Sequence, residues 1–251
     1  SNELNAPYAA DGYAIVGQAV DSDSLGVVKT TFGVGELSGI NGIAGAFSEH
    51  IPILDIAGVP STTQLKTRPV LYHTLGDGRY SGYVNLLSSS KTPTLKHMRC
   101  FQARPVYMTF PTDLVYEKIF AAPLRTPLNL DSSNADVESY VLNEIVRLVS
   151  AAGGNVAFLV DACAVRHHVV GEVRELVSAA GFPVYSAPMD KSIIAEDYEH
   201  FGEVYLSSSR IVHIPKTVES AKLIISLGSL QTDFNTGNFT YHLTLHAIVE
   251  V

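Results

Sequence analysis

Cysteine is scarce in this chain. Cys100 and Cys163 are the only two among 251 residues, and neither has the spacing of a metal site or of a disulfide framework. A reduced, cytoplasmic protein is the plain reading. Basic residues are also in short supply: 17 Lys and Arg face 25 Asp and Glu, giving a formal net charge of −8. Such a surface has no broad attraction for phosphate backbones or anionic lipid, so neither nucleic acid nor membrane is expected as a partner. No apolar run is long enough to cross a bilayer. The first residues, Ser1-Asn2-Glu3-Leu4, lack both an initiator Met and the character of a signal peptide. They read as the start of a processed or truncated chain. The other end stops on an apolar run, Ala247-Ile248-Val249-Glu250-Val251, which suggests that the chain continues.

What is present suits a folded α/β protein. Hydrophobic residues make up 46% and charged residues 17% of the sequence, enough to build one large or two small cores. Asn2 to Tyr13 is Ala-rich without a β-branched run and predicts a helix. Leu25 to Thr31 predicts a buried strand, Gly33-Val34-Gly35 a tight turn, Glu36 to His50 a helix, and Ile51 to Gly58 the next strand. Gly39, Gly42, Ala44 and Gly45 give that helix a small-residue surface suited to close packing on a sheet. Strand, turn, helix, strand is a βαβ unit with parallel pairing. Val59 to Arg99 carries turn signals and reads mostly as loop. Arg104 to Pro111 predicts another strand, and the proline-containing Ala121 to Ser133 a linker. Beyond it, Val137, Val141, Ile145 and Leu148 have helical spacing behind a possible N-cap at Asn134. Val156 to Asp161 predicts a strand, and Val169, Val173, Leu176, Val177 and Ala180 the inner face of a helix. Strands are also expected from Pro183, over Leu223 to Gly228, and at the end of the chain. The fold class is therefore α/β: two domains, 1–122 and 130–251, each with a mainly parallel sheet flanked by helices.

Several residues are candidates for chemistry, each with a plainer alternative. Gly33-Val34-Gly35 stands where dinucleotide folds cradle a pyrophosphate, but Ser38 occupies the place of the third glycine. A tight turn that lets helix and sheet approach is the alternative. Gly76-Asp77-Gly78 has the letters of a magnesium motif without the strand before it or the Asn after it, and reads as a turn. Tyr72 and His73 are an acid–base pair or loop residues. Arg166, His167 and His168 bind an anion or form a solvated helix start. Glu3, among Leu4, Ala6, Ala9 and Ala10, is exposed or buried with a task.

Taken together, a set of segments resembles the fungal pyruvate decarboxylase family in order and over nearly the whole chain. They are Asn2-Glu3-Leu4-Asn5, Tyr8 to Ala14, Thr30 to Ser38, Asn41 to Gly45, Glu49-His50, Gly58 to Ser61, His73 to Gly76, Arg104 to Tyr107, Asp161-Ala162-Cys163 and Asp233 to Gly237. The run Cys163-Ala164-Val165-Arg166-His167 looks most like enzymes of filamentous fungi.

The resemblance implies a pyrimidine-binding-like domain followed by a Rossmann-like central domain. It also implies a non-oxidative lyase that uses thiamine diphosphate and magnesium to split a small, pyruvate-like 2-oxo acid into an aldehyde and carbon dioxide. Glu3 takes the place of the glutamate that hydrogen-bonds the cofactor's aminopyrimidine. His73 takes the place of the second histidine of a proton-transferring pair, and Tyr72 replaces the first. Cys163, His50 and Arg166 fall on the positions of substrate activation and are expected to share a regulatory site. The family's assembly implies a homodimer or tetramer. The departures are equally concrete. The segment with the family's early catalytic aspartate and the whole diphosphate domain with its magnesium motif lie outside this sequence. No metal-binding residue is therefore assigned, and the chain alone is not expected to hold the cofactor's diphosphate tightly. By this resemblance the Leu86 to Ala103 region is about a dozen residues shorter than the family's. The family's Pro-Met-Gly-Lys-Gly appears as Pro188-Met189-Asp190-Lys191-Ser192. The alternative is a shortened relative, repurposed as a cofactor-free enzyme or as a regulatory partner of a full-length decarboxylase.

Overall fold

The computed structural model describes residues 2–18, 24–80, 104–126, 134–190, 193–206, 213–243 and 248–250. The chain divides into two compact units, Ser1–Ser132 and Ser133–Val251. Cys100, the Leu86 to Ala103 region, Lys191 and Ser192 lie outside the described residues.

The first unit contains α1 (Asn5–Gln18), β1 (Gly26–Thr31), α2 (Val34–Ser48), β2 (Ile53–Val59), α3 (Thr62–Thr67) and β3 (Val106–Pro111). Its strands pair in parallel in the order β1-β2-β3. The helix expected from Asn2 begins three residues later. The Asn2 side-chain oxygen accepts from the Leu4 and Asn5 amides at 3.1 and 3.3 Å, so Asn2 serves as the opening cap. Glu3 consequently lies in the turn before α1 rather than within a helix. The core joins Ala10 and Ala14 of α1, Val28 of β1, Ile43 and Ala46 of α2, and Ile53 of β2.

Two of the four small residues on α2 serve this packing. A Cβ at Gly42 would stand 2.7 Å from Pro7 Cβ, and one at Gly39 would stand 3.3 Å from Pro7 Cγ. The close approach is therefore mainly to α1, not only to the sheet as the sequence suggested. Ala44 and Gly45 remain exposed. The Asn41 amide adds a 2.7 Å bond to the Tyr8 hydroxyl across the same helix pair.

The stretch read as loop after Val59 contains α3. Ser61 caps it in a reciprocal box with Gln64, and the Asp113 carboxylate accepts from the Thr62 amide at 3.0 Å.

The second unit contains α4 (Ala135–Ala152), β4 (Val156–Val160), α5 (Cys163–Arg166), α6 (Val170–Ala180), β5 (Val184–Ser186), β6 (Phe201–Val204), α7 (His213–Glu219), β7 (Leu223–Leu227) and β8 (Ile248–Glu250). The five strands run parallel in the order β6-β5-β4-β7-β8. The central pair is buried on both faces: every residue of β7 and all but Leu159 in β4 is buried. Asn134 caps α4 as expected, accepting from the Asp136 and Val137 amides, and Gly153 closes it in the left-handed conformation. Only the later part of the α4 stripe packs on the core, through Ile145, Leu148 and Val149; Val137 and Val141 are exposed. On α6, Val173 and Val177 are buried, whereas Leu176 faces outward. Among the described residues, no helix is long and apolar enough to cross a membrane.

The α1–α2 contact makes a paired prediction. Gly42→Val forces a side chain into Pro7 and should destabilise the first unit by ~1–3 kcal/mol. Gly45→Ala meets nothing within 4 Å and removes a mid-helix glycine, so it should stabilise that unit by up to ~1 kcal/mol. Urea unfolding followed by hydrogen exchange in each unit measures both, with the second unit as internal control.

Candidate functional site

The turn after β1 is where the first unit's candidate residues meet. Gly33 has φ 77°, a left-handed conformation that favours glycine. A Cβ there would overlap the backbone carbonyl oxygen of His73 outright. Two positions on, a Cβ at Gly35 would lie 2.6 Å from Thr31 Cγ2 and 3.1 Å from Glu3 Oε1. Bare backbone at Gly33 thus admits the His73 segment, and bare backbone at Gly35 admits the Glu3 carboxylate. A half-buried carboxylate and an imidazole-bearing residue, distant in sequence, converge on one three-residue turn. The turn lies at the carboxyl end of a parallel strand, the edge at which open α/β sheets bind ligands.

His73 itself has φ 67°, a left-handed conformation that is uncommon outside glycine. Its segment is fixed by the Thr74 hydroxyl, which donates to the Leu71 carbonyl at 2.7 Å and accepts from the Gly76 amide at 3.2 Å. The Tyr72 ring tilts over the His73 ring with centroids 4.3 Å apart. Tyr72 is 87% exposed, which leaves its hydroxyl to solvent rather than to an enclosed relay. A small pocket beside the turn is lined by Phe32, Gly33, His73, Thr74, Leu75, Arg79 and Tyr80. Gly76-Asp77-Gly78 forms an exposed turn in which both glycines have positive φ and Asp77 accepts from Arg79.

Beneath the turn sits a group that sequence reasoning missed. Glu36 and Asp55 are buried to 1% and 2% exposure, beside Thr30 and Tyr107. The Thr30 hydroxyl reaches Asp55 at 3.5 Å. Neither Glu36 oxygen nor the Tyr107 hydroxyl completes a hydrogen bond, although the two groups are close enough to act on one another. Burial, reinforced by the Asp55 charge, pushes the Glu36 carboxyl up to about 7. Burial alone raises Asp55 to about 6 against the opposing Thr30 bond. The signal was available: Asp55 interrupts the apolar run Ile53-Leu54-Asp55-Ile56-Ala57.

The three residues given a regulatory role are placed as follows. Cys163 is half-buried and opens α5; Arg166, buried, closes it. His50 belongs to the first unit, where its Nε2 lies 3.1 Å from an Arg104 nitrogen, and the Arg104 guanidinium sits over the Phe47 ring. At the end of β4, Asp161 accepts from the Ala162 and Leu230 amides and from the Asn235 side chain, each at 2.6 Å. Asp190 is 1% exposed and neither of its oxygens completes a hydrogen bond. Burial first, and then the Asp161 charge, push its carboxyl up to about 8. Among the described residues, no group of three His, Cys, Asp or Glu side chains could hold a metal ion.

Two parallel-sheet units, the first with a glycine turn against which the Glu3 carboxylate and the His73 backbone both lie, define an α/β protein. Residues 1–78 match the N-terminal TPP binding domain, and residues 142–251 the central domain, of thiamine pyrophosphate enzymes. The chain belongs to the thiamine pyrophosphate enzyme family. It is 41% identical over its whole length to a putative pyruvate decarboxylase of Schizosaccharomyces pombe, covering 46% of that protein. It is 40% identical to the pyruvate decarboxylase of Aspergillus fumigatus over 96% of this chain and 44% of the relative. For pyruvate decarboxylase isozyme 2 of Saccharomyces cerevisiae the identity is 39%, over 100% of this chain and 46% of the relative. The chain thus spans less than half the length of these curated relatives.

Two outcomes follow from this geometry. Gly33→Ala adds a Cβ at a left-handed position already filled by the His73 carbonyl. It should destabilise the first unit by ~2 kcal/mol or more in urea and shift the His73 ring resonances. The buried acids set the direction of a pH effect. Their folded pKa values lie above their unfolded ones, so the folded state holds the extra protons. Stability should therefore fall as pH rises from about 4.5 towards about 7 through the Glu36 window. Melting curves should show that slope flattened in the Glu36→Gln, Asp55→Asn double variant.

Proposed function

We propose that the chain is the pyrimidine-binding and central portion of a thiamine-diphosphate-dependent 2-oxo-acid decarboxylase acting on pyruvate or a close analogue. The observation that carries this reading is the convergence of Glu3 and His73 on the Gly33-Val34-Gly35 turn. Its agreement with relatives named as pyruvate decarboxylases supports it. The repurposed short relative has no comparable observation in its favour.

The residues present fit one end of the cofactor. Glu3 offers a half-buried carboxylate held against Gly35 beside the Thr31 methyl, a hydrogen-bonding group for a polar heterocycle. When bound, thiamine diphosphate supplies the carbanion and the electron sink for loss of carbon dioxide. The part of this chain is then specific. The Glu3 carboxylate binds and orients the aminopyrimidine ring and holds a proton at its oxygen. The His73 imidazole moves a proton at the substrate end, and Tyr72, over its face, shields and orients it. Magnesium and the diphosphate are assigned to no residue of this chain.

The same proposal gives Cys163, Arg166 and His50 a role in activation by substrate, and makes the working protein a cytoplasmic homodimer or tetramer. The support is the relatives' identity and the retention of these residue types at the positions named.

In a full-length enzyme carrying this segment, Glu3→Gln should lower decarboxylation ~10²–10⁴-fold, the range for a general acid–base group. His73→Ala should slow a later proton transfer. The purified chain alone, incubated with pyruvate, thiamine diphosphate and magnesium, should form no acetaldehyde. Robust turnover would show that the diphosphate and metal are held by residues within it.

A further inference from the structure

Glu36 has no part in the chemistry assigned to Glu3 and His73, yet its position is unusual. Gly33 is the N-cap of α2 and has no side chain with which to cap it. Glu36 is the third residue of the helix, the position from which a carboxyl reaches back to the N-cap amide in a capping box. On a surface helix that carboxyl would be solvated. Here it is 1% exposed, with Asp55 of β2 and Tyr107 of β3 acting on it and Thr30 of β1 reaching Asp55. It is therefore placed under the turn, between the Gly33 amide and the sheet.

We propose that Glu36 is a positioning residue, which holds the Gly33-Val34-Gly35 turn in the shape that brings Glu3 and His73 together. The contacts assign the means. The Gly33 amide and Tyr107 lie close enough to act on the carboxyl without a closed bond to it, and a neutral carboxyl has one oxygen to accept from the amide and one O–H to give to Asp55 or Tyr107 as the turn tightens. The titratable groups that act on it are Asp55 from β2 and Tyr107 from β3, and no basic side chain is among them. Ionisation at this place sets Glu36 against the Asp55 charge and loosens the turn. The burial shift described above has the sign this device needs. The functional meaning rests on the proposed roles of Glu3 and His73; the device itself rests only on the fold.

The test uses the purified chain without cofactor, so that it is read separately from decarboxylation. Glu36→Gln keeps the shape, the acceptor and a donor but cannot ionise; Glu36→Leu keeps only the volume. Hydrogen exchange is followed for peptides covering residues 32–36 and 72–75, with peptides of α6 and β7 as the control for folding. In Glu36→Leu the turn peptides should exchange about tenfold faster or more, and in Glu36→Gln within about twofold of the parent, with the control peptides unchanged. After correction for intrinsic exchange, opening of the parent turn should increase as pH rises from about 4.5 towards about 7, and that of Glu36→Gln should rise less, keeping only the part set by Asp55. A Leu variant as protected as the parent overturns the proposal. So does a Gln variant with the parent's pH dependence, which remains decisive even if the Leu variant does not fold. Restored protection in the Gln variant upholds the positioning role even where a full-length enzyme proves indifferent to Glu3, a result that would defeat the functional reading alone.

Discussion

The first unit depends on one steric condition: backbone must lie against backbone at the end of β1. The His73 carbonyl occupies the volume that any side chain at Gly33 would need. Two residues later, the Glu3 carboxylate occupies nearly the volume a side chain at Gly35 would need. No large hydrophobic contact performs this task. The segments are brought together by what two positions leave out, and the surrounding core is compatible with that approach because α1 and α2 meet through glycine as well. A turn of this kind does not flex without moving the Glu3 and His73 segments, which places their geometry under control of the helix start rather than of loop side chains.

Much of this arrangement was legible in the sequence. The parallel βαβ rhythm, the Asn134 cap and the central strands follow from periodicity and turn chemistry. Glu3 and His73 were singled out through resemblance, each for a separate role; that both segments reach the Gly33-Val34-Gly35 turn was not foreseen, since 70 positions separate them and no local pattern joins them. The misses have physical causes. The α3 helix is six residues long with no buried residue, so it carries no apolar period; its Ser61/Gln64 capping box was the one available sign. The short β6 contains Gly202, kept bare because a side chain there would strike the Tyr185 ring, and a glycine in so short a run hides its strand character. Glu3 was placed in a helix because Asn2 was read as helical rather than as its cap. The outward part of α4 shows the opposite error: helical spacing of apolar residues fixes a stripe but not what, if anything, covers it.

Glu36 and Asp190 mark the limit of sequence reading more sharply. An acidic residue just inside a helix start is ordinary and usually solvated. Only the fold reveals that the Glu36 carboxyl is turned inward, or that Asp190, standing where the resembling family has glycine, is sealed beside Asp161. Both are local conflicts between residue type and environment, and such conflicts gather at places where a fold serves something other than its own stability.

The buried acids also alter the electrical identity of the protein. The formal charge of −8 counts every carboxyl as ionised. With burial raising Glu36 to about 7 and Asp190 to about 8, part of that negative charge is withheld in the folded chain at neutral pH. The native protein therefore migrates in an electric field, and binds an anion-exchange resin, as a less acidic molecule than its composition describes. Unfolding restores the missing charge by releasing protons to the buffer.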